Sequence, residues 1–515
     1  MSGIEIELKL RLPPAQLASL RQWLRDEGAR GGRLRARYVD TAERSLAAAG
    51  LALRLRHERG IWVQTLKAAG VGALDRQEHE VVLQRGAAAN PPAIDPSRHG
   101  SDRSGGALAA LLSDGSAPAL RTVFETDIRR LSLPWRSRRG WVELSFDTGH
   151  ILAPDRKPLT VSELEIELLR GSPLAVIEVA RQIVHRHGAW VDPATKAERG
   201  YRLAAGEDTG TALRARPLRL DPHADPDEAL AQVLAECRRH LVGNLARLAA
   251  EESHAPESVH QARVALRRLR SALRLFGSPR THALDERARA LAGALGLARE
   301  RDVLIASIVP ALAAAGAPST DLATGTDARL EPRGIARARP SQLLVLDLLA
   351  LEQELRSAPG ASSPSSAPVI AVGAQLGATL AVWHRRVRRD ARDFATLDDQ
   401  GRHRLRRRMK RLRYGLEFCA ALCGRQRYRR FIETLALAQE ALGRYNDLVE
   451  AVGRYRAQAA RQPQAWFAVG WLTAEATAQA TRCADALAAF RSCPTPLKRQ
   501  ARRAAGEPAT PSAAG

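Results

Sequence analysis

The sequence predicts two domains of different class: an α+β domain of antiparallel strands with flanking helices, then an all-α domain of two related helical halves. Strand-like alternation of apolar and polar residues runs through roughly the first 205 residues and then stops. Helical Ala/Leu/Arg patterns follow, and one basic pattern occurs twice among them. At 515 residues the chain is long enough for a separate core in each domain.

Changes in composition mark the expected boundaries. Gly, Pro and Ser are enriched near residues 86–118, which predicts a flexible insertion, and again in loops at 313–340 and 357–368. The predicted segments are a first domain at 1–205, a linker at 206–221, a helical domain at 222–492 and a disordered basic tail at 493–515.

The net charge of +23, most of it in the helical half, indicates a polyanionic partner. A compositional bias toward arginine is the competing explanation. Aromatic residues make up only 4% of the chain, which disfavours a protein that stacks on nucleic-acid bases. The five cysteines show no metal-binding spacing, and no stretch is apolar enough to span a membrane, so we expect a cytoplasmic protein without a disulfide framework.

The segment "IEIELKL" at residues 4–10 alternates aliphatic residues with two glutamates and a lysine. The same alternation recurs in "LRLR" (53–56), "RQEHE" (76–80), "ELSFD" (143–147) and "ELEIEL" (163–168), where the polar face is almost entirely charged. Two structures fit this pattern. Either the sheet is half-buried with ion pairs facing water, or the strands close into a barrel whose lumen carries the charges.

The order of these motifs, together with "YVDT" (38–41), "TLK" (65–67), "ETDIRR" (125–130) and "TKAERGY" (195–201), resembles the CYTH domain of the triphosphate tunnel metalloenzymes. The resemblance spans nearly all of residues 1–203. It implies an eight-stranded antiparallel β tunnel, a requirement for a divalent metal (Mg²⁺ or Mn²⁺), and hydrolysis or cyclisation of a triphosphate. It therefore favours the charged lumen.

On this resemblance, phosphoryl transfer requires carboxylates for the metal and cations for the phosphates. The metal-ligand candidates are Glu5 and Glu7 on one wall and Glu165 and Glu167 approaching from across the tunnel. The substrate-binding candidates are Lys9, Arg54, Arg56, Lys67, Arg76, Arg129 and Lys196. The candidates for a second metal or for placing the attacking water are Glu78, Glu80, Glu143 and Asp147. For each of these four, a structural ion pair is the alternative.

The duplicated pattern begins at "HQARVALRRLRSALRLF" (260–276) and "HRLRRRMKRLRYGLEF" (403–418). At 100° per residue its basic positions form one stripe opposite an apolar face. Like charges four residues apart destabilise a helix, so the stripe indicates an anionic ligand. The stripe residues are His260, Arg263, Arg267, Arg270 and Arg274 in the first copy and His403, Arg406, Lys410 and Arg413 in the second.

Each copy is followed by an "LG" motif, at 295–296 and 442–443, which the sequence suggests is a turn. These features resemble the CHAD domain over roughly residues 222–490, with Glu300 where Asp is expected. The resemblance implies binding of inorganic polyphosphate through the basic faces.

The expected function is therefore metal-dependent hydrolysis of inorganic triphosphate, in a chain that also binds long-chain polyphosphate and is directed to polyphosphate granules. Two alternatives remain open from the sequence: a non-enzymatic polyphosphate-binding protein, or a tunnel that acts on a nucleotide or thiamine triphosphate. The low aromatic content disfavours nucleic acid as a partner, and competition between DNA and polyphosphate would test this expectation.

Overall fold

A computed structural model describes residues 2–69, 74–85, 91–100, 103–112, 119–207, 210–250, 256–320, 331–357 and 372–498. The chain divides into two compact units. The first combines residues 1–212 with 245–251 and 336–353, and the second contains 213–244, 252–335 and 354–515. The first unit, called the tunnel unit below, therefore includes two segments from the helical part of the sequence, in addition to the predicted domain at 1–205.

The strands are β1 (Ser2–Arg11), β2 (Arg30–Asp40), β3 (Leu51–Glu58), β4 (Ile61–Ala69), β5 (Asp75–Arg85), β6 (Arg121–Ser137), β7 (Gly140–Leu152), β8 (Leu159–Gly171) and β9 (Trp190–Val191). The helices are α1 (Leu17–Asp26), α2 (Ser45–Ala48), α3 (Arg103–Leu112), α4 (Leu174–His187), α5 (Lys196–Ala205), α6 (Pro226–Ala250), α7 (Pro256–Phe276), α8 (Pro279–Val303), α9 (Val309–Ala314), α10 (Pro332–Arg337), α11 (Arg339–Ser357), α12 (Val372–Arg392), α13 (Asp399–Phe418), α14 (Arg425–Ala459) and α15 (Ala465–Ser492). A π-helical segment, Leu304–Ile308, continues α8.

The strands of the first unit close into a barrel. Their order is β5-β4-β3-β2-β6-β7-β8-β1, and β1 also pairs with β5, so that eight antiparallel strands form a ring. The two-residue strand β9 adds to β1. The predicted eight-stranded antiparallel tunnel is confirmed.

Apolar side chains on the outer face of the barrel pack against helices and loops. Leu53 and Leu66, for example, are fully buried in a cluster with Leu46 of α2 and Leu108 of α3. Helix α3 lies within the stretch predicted to be a flexible insertion. That prediction was wrong for residues 103–112, because the apolar residues of this Ala/Leu segment cover the barrel wall.

One end of the lumen is apolar. The inward positions of β2 and β6 carry Tyr38 and Phe124, whose rings stack 4.4 Å apart, and the ring of Tyr201 from α5 lies 5.2 Å from that of Phe124. A capping box starts α5, with Thr195 and Glu198 satisfying each other's backbone amides. Helix α5 thus closes over the apolar end and directs its first residue, Lys196, into the lumen.

The second unit is helical, as predicted, with α7 and α13 as the duplicated helices. Residues 493–498 were assigned to a disordered tail, yet Leu497 is buried and forms a β-bridge with Cys423. Residues 499–515 lie outside the described residues. All four cysteines of this unit's core, Cys237, Cys419, Cys423 and Cys483, are buried and free.

Gly200 of α5 packs directly on the ring of Phe124, and an added Cβ would lie 2.2 Å from its Cε2 atom. We expect Gly200→Ala to displace α5 and to destabilise the tunnel unit by about 1–3 kcal/mol, the usual effect of overpacking. Urea unfolding followed by pulse-labelled hydrogen exchange of α5 peptides measures this. Gly106 of α3 is the matched control, since an added Cβ there meets nothing within 4 Å. Equal stability of the two alanine variants would contradict the prediction.

Candidate active site and basic seam

The strand registers place the charged side chains of the barrel in one lumen. Glu7 is paired with Glu167 and Lys9 with Glu165 across the β1–β8 ladder. Glu165 and Glu167 were expected to approach from across the tunnel, and this was wrong: β8 is the hydrogen-bonded neighbour of β1. The cause is the topology, since sequence separation does not show which strands become adjacent when a sheet closes.

The densest charge cluster surrounds Lys196. Its ammonium lies 2.7 Å from Asp147 Oδ2 and 3.0 Å from Glu165 Oε1, and it also donates to Glu163. Oxygen atoms of these three carboxylates all lie within 4.8 Å of one another, so they could hold a metal ion. A cation already occupies the centre of the triad, and that cation is a lysine ammonium.

Two arginines complete the charge balance of the triad. Arg130 Nη2 donates to Asp147 at 2.6 Å and to Glu165 at 2.7 Å, and Arg199 pairs with Glu163. Although burial opposes it, these carboxylates raise the pKa of Arg130. Burial also opposes ionisation of Glu165, but Lys196, followed by Lys9 and Arg130, holds its pKa well below the usual range. Glu165 is therefore ionised at neutral pH.

Arg129 was predicted to bind substrate inside the tunnel, but its side chain is exposed on the outer face. The inward arginine is its neighbour Arg130. Alternation allows only one of two consecutive strand residues to face the lumen, and the sequence "RR" does not show which. Glu163, Arg130 and Arg199 are site residues that were not selected. The segment "ELEIEL" indicated Glu163, because its three glutamates, Glu163, Glu165 and Glu167, alternate on the same face of the strand.

A second cluster lies where β1 meets β5. Lys67 Nζ is 3.1 Å from Glu5 Oε2 and 2.7 Å from Glu78 Oε2. Burial, with a hydrogen bond between the two carboxyls, raises the pKa of Glu5 to about 8. Although burial opposes it, Lys67 and the same hydrogen bond lower the pKa of Glu78. At neutral pH the pair therefore shares one proton, which resides on Glu5.

The remaining arginines of the lumen also pair with glutamates. Arg56 Nη2 lies 3.0 Å from Glu80 Oε1, and Arg54 Nη2 lies 3.5 Å from Glu78 Oε1. Lys9 pairs with Glu7, and Arg76 Nε lies 3.3 Å from Glu7 Oε1. Thus the cations predicted to bind phosphate, except Arg129, lie inside the barrel within reach of its carboxylates.

Glu143 stands apart from these ion pairs. It accepts a hydrogen bond from Ser145 Oγ at 3.1 Å, and within the described residues no cation lies within 4.0 Å of its carboxylate. It is the cross-strand neighbour of Glu167, whose pKa is raised by burial and then by the charge of Glu143. Among the described residues, no lysine or arginine nitrogen lies within 4.0 Å of either of these two lumen carboxylates.

In the helical unit, the two "LG" motifs lie inside helices α8 and α14 and are not turns, which corrects the sequence expectation. Arg263 Nη1 would be 2.8 Å from a Cβ added at Gly296, and Arg406 Nη2 would be 3.6 Å from one added at Gly443. Each glycine leaves room for the arginine of the preceding repeat. In both copies of the repeat, the arginine of the basic helix therefore packs against a glycine on the following long helix, where a larger side chain would be in contact with it.

The two basic stripes meet in one seam, defined here as His260, Arg263, Arg267, Arg406 and Lys410. Burial, and then the charges of Arg267 and Arg406, lower the pKa of Lys410 to about 6. Burial and nearby arginines lower the pKa of His260 to about 4 and that of Arg263 to about 10. The seam therefore places five basic side chains close together, where burial and mutual repulsion disfavour the charged forms of Lys410 and His260.

The other predicted stripe residues are committed to partners within the unit. Arg270 and Arg274 both pair with Asp285, at 2.8 Å and 2.7 Å. Arg413 pairs with Glu417 at 2.9 Å, and His403 Nδ1 lies 2.5 Å from Asn446 Oδ1. The structure thus brings five of the nine predicted polyphosphate-binding residues into the seam, whereas the sequence pattern did not distinguish them from the rest.

Comparison with known proteins identifies both halves. A family model described as the CYTH domain matches residues 3–201, and one described as the CHAD domain matches residues 232–456. A solved structure of the CHAD domain from the plant Ricinus communis is 30% identical, with 56% of this chain and 99% of that chain covered and a TM-score of 0.46.

Two solved structures match the first half. One is a putative adenylyl cyclase from Hippeastrum, described as having a dominant triphosphatase activity, at 22% identity, 39% of this chain and 96% of that chain, with a TM-score of 0.29. The other is a putative adenylate cyclase from Bacillus halodurans, at 18% identity, 38% and 97% coverage, with a TM-score of 0.28. Within the described residues, every helix is too short or too polar to cross a membrane.

The protonated state of Glu5 predicts a pH effect on stability. Between pH 4.5 and pH 8 the folded carboxyl holds a proton that the unfolded one has lost, so the free energy of unfolding falls as the pH rises. The slope contributed is at most about 1.4 kcal/mol per pH unit. Pulse-labelled hydrogen exchange of β1 and β5 peptides in urea, without metal, measures it.

The variant Glu5→Gln should flatten this slope, whereas Glu125→Gln, at an exposed outer-face position, should leave it unchanged. The charge contribution of Glu78 changes only below pH 4.5, outside this window, because its pKa is lowered. A slope that is the same in wild type and Glu5→Gln would show that Glu5 is ionised at neutral pH.

Proposed function

The chain belongs to the CYTH and CHAD families, and from this premise we propose that its tunnel hydrolyses inorganic triphosphate to pyrophosphate and orthophosphate with Mg²⁺ or Mn²⁺. The observation that carries the proposal is the triad of Asp147, Glu163 and Glu165 around a cation, inside a closed lumen rich in lysine and arginine. Hydrolysis of a phosphoanhydride requires both charge types at close range.

The triad fits a hard divalent ion. Its ligand atoms are all carboxylate oxygens, the donors that Mg²⁺ and Mn²⁺ prefer, and the Lys196 ammonium shows that a cation is stabilised at their centre. Asp147, Glu163 and Glu165 would hold the ion, with Glu7 as the nearest additional carboxylate on β1. When bound, the ion would neutralise phosphate charge and activate water.

The lysines and arginines of the lumen would bind the substrate. Lys9, Lys67 and Lys196 carry point charges on flexible stems that can turn from a carboxylate to a phosphate oxygen. Arg54 and Arg56 would hold phosphates in a fixed geometry through their planar guanidinium groups. Each cation is now paired with a glutamate or aspartate, so a polyanion entering with a metal ion exchanges one set of ion pairs for another.

Among the four catalytic candidates, Glu143 is the one we assign to orient and deprotonate the attacking water. Glu78, Glu80 and Asp147 form ion pairs, which leave less of each carboxylate available to water. Glu143 accepts from Ser145, and its charge is not neutralised by a nearby cation among the described residues. Its proton acceptance would convert water to a nucleophile for the terminal phosphorus.

We expect Glu143→Gln to lower kcat for tripolyphosphate hydrolysis by about 10²-fold with little change in KM, as loss of a general base does. Glu165→Gln should lower kcat/KM and weaken metal dependence, because it removes a triad ligand. Phosphate release is measured with Mg²⁺ and with Mn²⁺, using Glu125→Gln as the control. Unchanged hydrolysis in both tunnel variants would show that the reaction does not use Glu143 or Glu165.

A substrate panel separates this proposal from its alternatives. Tripolyphosphate, ATP, thiamine triphosphate and long-chain polyphosphate are compared at matched metal concentration. Faster hydrolysis of ATP or thiamine triphosphate than of tripolyphosphate would show that inorganic triphosphate is not the preferred substrate. Failure to cleave any of the four would favour the non-enzymatic polyphosphate-binding protein.

We further propose that the seam in the helical unit binds inorganic polyphosphate, and that this directs the chain to polyphosphate granules. The supporting observation is the clustering of Arg267, Arg406 and Lys410, where burial, and then the charges of the two arginines, lowers the pKa of Lys410. An anion bound among these side chains would favour the charged form of the lysine. Asp447, with Arg406 close to it, is the seam's main counter-charge, and burial raises its pKa.

Binding of polyphosphate at pH 7.5 is therefore expected to take up a proton at Lys410, since an anion raises the pKa of a neutral lysine above the pH of the solution. Isothermal titration calorimetry in buffers of different ionisation enthalpy measures the uptake, which should approach one proton per site. Lys410→Arg should keep binding and lose most of the uptake, whereas Lys410→Met should weaken binding. Buffer-independent heats for the wild type would contradict the prediction.

A further inference from the structure

A cavity of about 640 Å³ lies on the outer face of the barrel, where α1 crosses β2, β6 and β7. Its wall positions on β2 and β6, such as Gly31 and Leu131, alternate with the lumen positions Gly32 and Arg130. The lining residues are Arg21, Arg25, Gly31, Gly32, Arg33, Asp127, Arg129, Arg130, Leu131, Phe146, Thr148, Gly149 and His150. The volume is that of a small-molecule site.

Like charges are paired twice around this cavity. Arg33 and Arg129 are directly opposite each other in the β2–β6 ladder, and Arg21 and Arg25 are one turn apart on α1. Both arrangements are unfavourable in the absence of a counter-ion. The cavity is therefore built from side chains that repel one another.

The carboxylate among the lining residues does not neutralise them. Asp127 is engaged by Arg33 in a bidentate pair, with distances of 2.8 Å and 2.5 Å. Within the described part of the chain, no carboxylate lies within 4.0 Å of Arg21, Arg25 or Arg129. Three exposed guanidinium groups thus line one concave space, and among the described residues none of them has a carboxylate within ion-pair distance.

The floor is small and partly apolar. Gly31 contributes no side chain, and an added Cβ there would meet only Leu131 Cδ2, at 3.6 Å. Gly149 has a φ of 155°, and an added Cβ would lie 2.0 Å from the Asp127 carbonyl oxygen, so this position requires glycine. Beneath these residues Phe146 is buried. A concave site of about 640 Å³ matches a small anion, whereas a membrane or a nucleic-acid duplex needs an extended surface.

We propose that this groove is a second anion site that binds a phosphoanhydride chain from outside the tunnel. Guanidinium groups match phosphate oxygens in charge and planar geometry, and several convergent arginines favour a di- or triphosphate over a single charge. The ligand comes either from inorganic pyrophosphate or triphosphate, or from the phosphate tail of a nucleotide. The inference rests on the outer face and does not depend on hydrolysis in the lumen.

Arginine footprinting tests the proposal with the full-length protein. Phenylglyoxal modification is followed residue by residue by mass spectrometry, without metal, in the presence of pyrophosphate, tripolyphosphate or ATP. We expect modification of Arg21 and Arg129 to slow at least about 5-fold, with Arg138 of the β6–β7 turn unchanged. The probe that protects these arginines at the lowest concentration identifies whether the phosphoanhydride ligand is an inorganic phosphate or a nucleotide.

Charge-reversal variants make the test specific. Arg129→Glu should abolish protection of Arg21, and Arg21→Glu, on an exposed helix position, should abolish protection of Arg129. Arg138→Glu makes the same change in net charge outside the groove and should preserve both. Glu143→Gln should also preserve protection, which separates this site from the tunnel. Equal protection of Arg138, or equal protection by sodium chloride at matched ionic strength, would overturn the proposal.

Discussion

The structure of the tunnel unit depends on charge compensation inside a closed barrel. Ionised side chains in a lumen of this size are costly unless each one has a partner of opposite sign. Lys196 supplies that partner for Asp147, Glu163 and Glu165, and it does so from a helix outside the sheet. The docking of α5, the glycine against Phe124 and the apolar end of the lumen all serve to deliver this one ammonium.

The same compensation explains how the site can be both stable and reactive. Most lumen carboxylates are neutralised by lysine or arginine, so the fold does not require a bound ligand to balance its charge. Lysine contacts are easily redirected, whereas arginine pairs such as that of Arg130 with Asp147 are bidentate and fixed. The lumen therefore combines a rigid set of charges with a set that can move to a substrate.

Much of the fold followed from the sequence because alternation and helical period are local. The charged strands and the duplicated basic helices were predicted from such patterns, whereas the closed eight-stranded tunnel was implied by the resemblance to the CYTH domain. Adjacency of β1 and β8 depends on how the sheet closes, so Glu165 was placed on the wrong wall. Only the register of β6 and β7 shows that Arg130, and not Arg129, faces the lumen. Arg270 is excluded from the seam by its ion pair with Asp285, which lies on the next helix and outside the repeated pattern. Long-range pairing is what sequence periodicity does not encode.

The pairing of β1 also sets the order in which the tunnel can form during folding. Residues 2–6 pair with 75–79, and residues 7–11 pair with 163–167. Strand β1 is synthesised first, but its pairing is completed only after β8 has been synthesised. Contacts this distant in sequence form late and slowly. Glu163 of β8 is paired with Lys196 and Arg199, and both of these cations lie on α5. A nascent chain that ends before this helix therefore lacks both cations that neutralise Glu163 when the barrel closes.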